Sequence, residues 1–130
     1  MATGLAASLA NALLDAIGNA TNVTAATAFC VKLHVGDPGA AGTSNPAGET
    51  TRKAVSMGAA SGGIMSNDGA VSWTSYPNGT DVITHVSFWD HITAGVFLGS
   101  DAIAASRSPD IGDTVTLSIG ELDLSLTVAS

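Results

Sequence analysis

The sequence has one cysteine, four basic residues and only 5% aromatics. A lone Cys30 excludes an intrachain disulfide and any metal site built on a cysteine cluster. It stands inside the apolar run "TAFCVKLHV", where a free cysteine is expected to act as a small buried hydrophobe. Lys32, Arg52, Lys53 and Arg107 carry all the positive charge against eleven Asp and Glu, for a net charge of −7. Nucleic-acid binding draws much of its affinity from neutralised phosphates, and an anionic membrane surface asks for the same residues, so neither partner is expected. Charged residues make up 12% of the chain and apolar ones 45%. Solubility therefore falls to Ser, Thr, Asn and Gly, and a surface with little charge to desolvate suits contact with neighbouring chains.

Long apolar runs are also missing. No stretch reaches the roughly 20 apolar residues that span a bilayer. "MATGLAASLANALLDAIGNA" ends in small residues like a signal peptide, but it lacks a positive start and is interrupted by Ser8, Asn11 and Asp15. It is expected to belong to the mature fold. Leu5, Leu9, Leu13 and Ile17 recur every four residues with Leu14 beside them, which predicts an amphipathic helix within residues 1–20, capped by Thr3 and ended by Gly18. Its apolar stripe can go to the protein's own sheet or to a groove on a partner subunit. At this length the remainder, residues 21–130, is expected to form one domain, and the whole chain to bury about two thirds of its unfolded surface.

After "GNATNVTAAT" the pattern turns to strands. Ala28 to Val35 is rich in strand formers, and the following loop "GDPGAAGTSNPAGET" holds four Gly and two Pro, a length and composition often functional or interfacial. "TRKAVSMG", "GIMS" and "AVSWTSY" read as short strands, the last two separated by the turn "NDG". "DVITHVSFWD" carries apolar bulk on both faces and is expected to be a central strand. "AGVFLGS" supplies another. In "DTVTLSIGELDLSLTVA" two alternating runs flank Gly120-Glu121, which predicts a closing hairpin on a type II′ turn. The fold class is mainly β: an antiparallel β-sandwich or jelly-roll-like domain preceded by one helix.

The chain carries few of the patterns that chemistry needs. His34, His85 and His91 lack the spacing of zinc motifs. "AASGGIMS" lacks the Gly-Lys-Ser/Thr ending of a phosphate loop, and no Gly-x-Ser-x-Gly elbow occurs. "SNDG" and "SPDIGD" have the composition of calcium loops without their alternating ligands. Asp37 before Pro38-Gly39 is read as a turn residue that bonds its own backbone, with His34 ending the strand before it. No catalytic residue, no metal and no cofactor are expected.

Taken in order, "NALLDAIG", "VKLHVGDPGAAGTSN", "TRKAVSMGAASGG", "AVSW", "ITHVSFWD", "FLGS" and "IGDTVTLSIGELDLSLTV" resemble a family of small tailed-phage virion proteins commonly labelled phage tail fibre protein. The resemblance covers nearly the whole chain. It implies a non-enzymatic structural protein on the particle surface, of tail-fibre or minor capsid (decoration) type, that contacts other virion proteins. Self-association is expected with it, a trimer being one arrangement. The sequence departs from the family pattern, which carries Gly-Gly after "WD": here "WDHITAGVF" inserts His91 and Ile92 into that turn, so contacts at that tip are expected to differ. The interface candidates are Leu5, Leu9, Leu13 and Ile17 on the helix, Asp37, Pro38, Asn45 and Pro46 in the loop of residues 36–50, and His91. The alternative is a receptor- or carbohydrate-binding module in which Trp73, Tyr76 and Trp89 stack on sugar.

Overall fold

The computed structural model describes residues 3–129. One helix, α1 (Ala7–Gly18), precedes eight strands: β1 (Cys30–His34), β2 (Lys53–Ala54), β3 (Ile64–Ser66), β4 (Val71–Trp73), β5 (Ile83–Trp89), β6 (Phe97–Arg107), β7 (Val115–Leu117) and β8 (Asp123–Ser125). β2, β1, β5 and β6 form a four-stranded antiparallel sheet in that order, while β3 pairs with β8 and β4 with β7. The expected mainly antiparallel β architecture with one N-terminal helix is what the chain adopts, and β5 is central as its two apolar faces required.

The period-2 alternation decides which side chains meet. Cross-strand partners Val31 and Phe88, and Leu33 and Val86, lie on one face of the sheet. They pack with Ile103, with Val71, Trp73, Val115 and Leu117 of the β4–β7 ribbon, and with Tyr76 and Leu122, into one buried cluster. Burying each of the large side chains is worth about 1.5–3 kcal/mol, so truncating a central one such as Phe88 to Ala should cost about 3–5 kcal/mol. The opposite face carries Cys30 opposite Trp89 and Lys32 opposite Ser87. There Trp89, Phe97 and Ala6 make a second, smaller cluster. Cys30 is fully buried, and burial pushes its thiol up.

Two local expectations are corrected. Thr3 does not cap the helix: Ala6 stands at the N-cap with no side-chain bond. The preceding residues instead extend along the outer edge of β6, where Ala6 N–H donates to the Leu98 carbonyl at 2.9 Å and Ser100 N–H to the Gly4 carbonyl at 2.7 Å. Covering an open sheet edge satisfies more backbone groups than one extra capped turn would. The closing hairpin is also absent. Residues 118–121 do turn, with Glu121 N–H donating to the Ser118 carbonyl at 3.1 Å, but Gly120 at φ +85° takes the second central position, as in a type II rather than a type II′ turn. β7 and β8 then diverge to different ribbons, and β3 and β4 across "NDG" do the same.

The residue at the centre of both turns is Asn67, only 2% exposed. Its Oδ1 accepts from the N–H groups of Gly120 (3.0 Å) and Leu122 (2.9 Å), and its Nδ2 donates to the carbonyls of Gly69 (2.8 Å) and Ser118 (3.0 Å). Each hydrogen-bonding position of the amide is used, so the two turns are sewn together and their flanking strands are free to pair elsewhere.

Candidate assembly surface

The loop of residues 36–50 folds back on the second face of the sheet. Asp37 Oδ1 accepts from Gly39 N–H at 2.8 Å, the self-bonded turn expected of Asp before Pro-Gly. Asn45, at φ +51°, donates from Nδ2 to the Asp37 carbonyl at 2.9 Å, while Ser44 N–H donates to the Pro38 carbonyl at 2.9 Å. Gly42, at φ +72°, lies so close to Phe97 that a Cβ there would sit 2.4 Å from its ring. Among the loop candidates Pro38 is fully buried, because its ring packs inside the chain. Asn45 and Pro46 are exposed and Asp37 half-buried.

Beneath this loop lies His34, fully buried. Trp89 Nε1–H donates to Ser87 Oγ at 2.8 Å, which leaves the Ser87 hydroxyl hydrogen for His34 Nε2, also at 2.8 Å. The imidazole must then donate from Nδ1, and it does so to the Ser44 carbonyl at 2.8 Å. The network is complete only with neutral His34. Burial accordingly holds its pKa below the ordinary value, against the partial compensation of backbone carbonyls. Ser87 and His34 have the spacing of a nucleophile and its base, but both are fully buried. The pair locks the loop to the sheet.

The helix presents an exposed apolar surface. None of its residues is buried. Leu5, Leu9 and Leu13 line an apolar groove of about 310 Å³ with Met65, Leu124 and Leu126, so three of the predicted stripe residues do converge. Ile17 does not join them: it is 85% exposed, and Leu14 beside it 67%. The β3–β8 ribbon supplies the opposite wall through Met65 and Leu124, a junction that sequence periodicity had no means of specifying because the two strands lie far apart in the chain.

His91 sits exposed at the tip between β5 and β6, where its Nδ1 accepts from Thr93 and Ala94 N–H, each at 3.2 Å. Arg52 holds the same tip, donating from Nη1 to the carbonyls of His91 (3.0 Å) and Ala94 (2.6 Å). Its guanidinium also lies 4.0 Å over the Trp89 ring, a cation–π contact. The aromatic trio named for sugar stacking is therefore occupied. Trp73 is buried with its indole N–H on the Thr51 carbonyl at 2.8 Å, and Tyr76 is buried with its hydroxyl on Asp81 Oδ2 at 2.7 Å. Burial pushes the Asp81 carboxyl up, but the Tyr76 hydroxyl, Gly48 N–H and Asn78 amide together hold it below its ordinary value. Asp101, half-buried on β6, goes the other way, raised by burial. Among the described residues no three His, Cys, Asp or Glu side chains gather as metal ligands, and no helix is long and apolar enough to cross a membrane.

A family model described as "Podophage GP4 fiber I protein gp80" matches residues 4–125. The chain belongs to that family. It is a phage structural protein located in the virion particle, where it contacts other virion components. The matched span begins at the edge segment on β6 and ends at β8, so every element of the fold lies within it. No curated protein matches the chain in sequence. Membership in the fibre family gives the open groove, the exposed end of α1 and the loop surface a physical context, since a virion protein must keep surfaces for its neighbours.

Proposed function

We propose that this fibre-family protein is a non-enzymatic component of the phage fibre or tail, joined to its neighbours by protein–protein contacts through α1 and the adjoining groove. The observation that carries this reading is the helix itself. A helix with no buried residue, whose Leu14 and Ile17 are 67% and 85% exposed, leaves an apolar stripe that a partner surface can cover. The neutral faces of the sheet ribbons suit a symmetric oligomer, a trimer included, built around the same stripe. The saturated and buried His34–Ser87 contact supports the structural role. The buried state of Trp73 and Tyr76, with Arg52 over Trp89, favours protein contact over a glycan platform.

The test is the variant Leu14→Asp/Ile17→Asp, which changes exposed positions and should leave the fold intact. Light scattering should show the wild-type protein as an oligomer and the variant as a monomer, and immunogold labelling should place wild type on the tail of intact particles and lose the variant. Normal incorporation of a folded variant would remove the helix from the contact. Label over the head would instead assign the protein to capsid decoration.

A further inference from the structure

Two of the four basic residues, Lys32 on β1 and Arg52 just before β2, line one pocket, while Lys53 pairs in register with Val31, on the other face of the sheet from Lys32. The fourth, Arg107, is matched by Glu121 at 2.7 Å, the one ion pair among the described residues. Lys32 and Arg52 instead face a pocket of about 410 Å³, walled otherwise by Thr50, Thr51, Ile92 and Thr93. Arg52 Nη1 is spent on the tip carbonyls, but its remaining N–H groups and the Lys32 ammonium meet no acceptor among the described residues. Lys32 is half-buried. Burial, with the Arg52 charge added, holds its pKa below the ordinary value, and among the described residues no carboxylate forms an ion pair with Lys32 or Arg52. Two cations held side by side without a counter-charge are destabilising for the free protein and favourable once an anion enters.

We propose that Lys32 and Arg52 form an anion site that accepts a carboxylate side chain from a neighbouring protein chain. The proposal rests on the structural role above and names a second, polar contact for it, remote from the helix. The donor set fits: Arg52 supplies planar N–H groups and Lys32 a point charge, and Thr50, Thr51 and Thr93 line the same pocket. Pockets that take acidic sugars ordinarily add a free aromatic face. Here the face of Trp89 is occupied by Arg52, so a protein carboxylate is the better match. The acid-rich composition makes a second copy of this chain one ready source.

The first experiment is an amide NMR titration of the isolated protein with N-acetylglutamate, with sodium chloride at equal ionic strength and glucuronate as comparators. Saturable shifts confined to Lys32, Thr51, Arg52 and Thr93, lost in Lys32→Met, are expected. Shifts that are absent, that sodium chloride reproduces, or that persist in Lys32→Met overturn the site. Saturation by glucuronate at tenfold lower concentration than by N-acetylglutamate would overturn the protein carboxylate in favour of an acidic glycan. In particles, Lys32→Glu should lower incorporation about tenfold, a loss of about 1.4 kcal/mol, with Lys32→Arg restoring it. Incorporation of Lys32→Glu at the wild-type level would overturn the docking role. Failure of the structural role reads differently, because it shows as wild-type label over the head or as normal incorporation of Leu14→Asp/Ile17→Asp, neither of which touches Lys32.

Discussion

Replacing Asn67 by Asp changes one NH₂ group to oxygen and almost no volume, yet it should be among the most damaging single substitutions in the chain. Asn67 Nδ2 donates to the carbonyls of Gly69 and Ser118. An aspartate at pH 7 would turn an acceptor toward both. The Ser118 carbonyl keeps its bond from Glu121 N–H, whereas the Gly69 carbonyl has no other partner among the described residues. Losing the bond to the half-buried Gly69 carbonyl costs about 1 kcal/mol, and the desolvated charge at the buried position 67, facing two carbonyls, adds the larger part. The total should be about 3 kcal/mol or more, at the upper end of what single substitutions ordinarily cost. Urea unfolding followed by the fluorescence of buried Trp73 and Trp89 measures it. With a slope of about 2 kcal/mol per molar urea, the midpoint should fall by about 1.5 M. The new carboxyl should have a raised folded-state pKa, so its penalty is small below the unfolded value and appears as pH rises. The gap from wild type should therefore narrow toward pH 4. A midpoint shift under 0.3 M, or a gap independent of pH, would refute the claim that Asn67 holds the two turns together.

The remaining predictions concern packing and titration. Gly42→Ala forces a Cβ toward Phe97 at a positive φ, so it should destabilise by about 1–3 kcal/mol in the same unfolding assay; a neutral effect would mean that the loop does not rest on that ring. Because the folded pKa of His34 lies below its ordinary 6.5, the unfolded chain binds the extra proton. Stability should therefore be full above pH 6.5 and decline as pH falls from there toward the folded value, and His34→Gln should flatten that part of the curve. Asp81, also depressed below its ordinary 3.8, should extend the loss to lower pH in a way that Tyr76→Phe reduces. Asp101, raised by burial, contributes stability at low pH that is lost as pH rises through its folded value, so removing it should steepen the acid limb. Cys30 should react with a thiol reagent only at the rate of unfolding, since it is fully buried; fast labelling of the native protein would contradict the packing of the second sheet face.

Local chemistry in the sequence was enough to specify the antiparallel β class, the single N-terminal helix, the central position of β5, the buried Cys30 and the Asp37 turn. Each follows from a period, a turn residue or a composition that acts over a few residues, and such signals survive whatever the rest of the chain does. The ordered series of motifs likewise pointed to the phage virion family that the chain belongs to. Tertiary structure decided what depends on distant partners. The start of α1 moved from Thr3 to Ala6 because the edge of β6 takes up residues 4–6. The alternation in β7 and β8 identified two strands but not their pairing, because a hairpin pattern is equally satisfied by any antiparallel neighbour, and the four bonds of Asn67 made the choice. The groove between Leu9 and Leu124 and the union of Lys32 with Arg52 arise the same way. They join residues from separate elements, and no spacing along one chain encodes a contact that exists only after the sheet has formed.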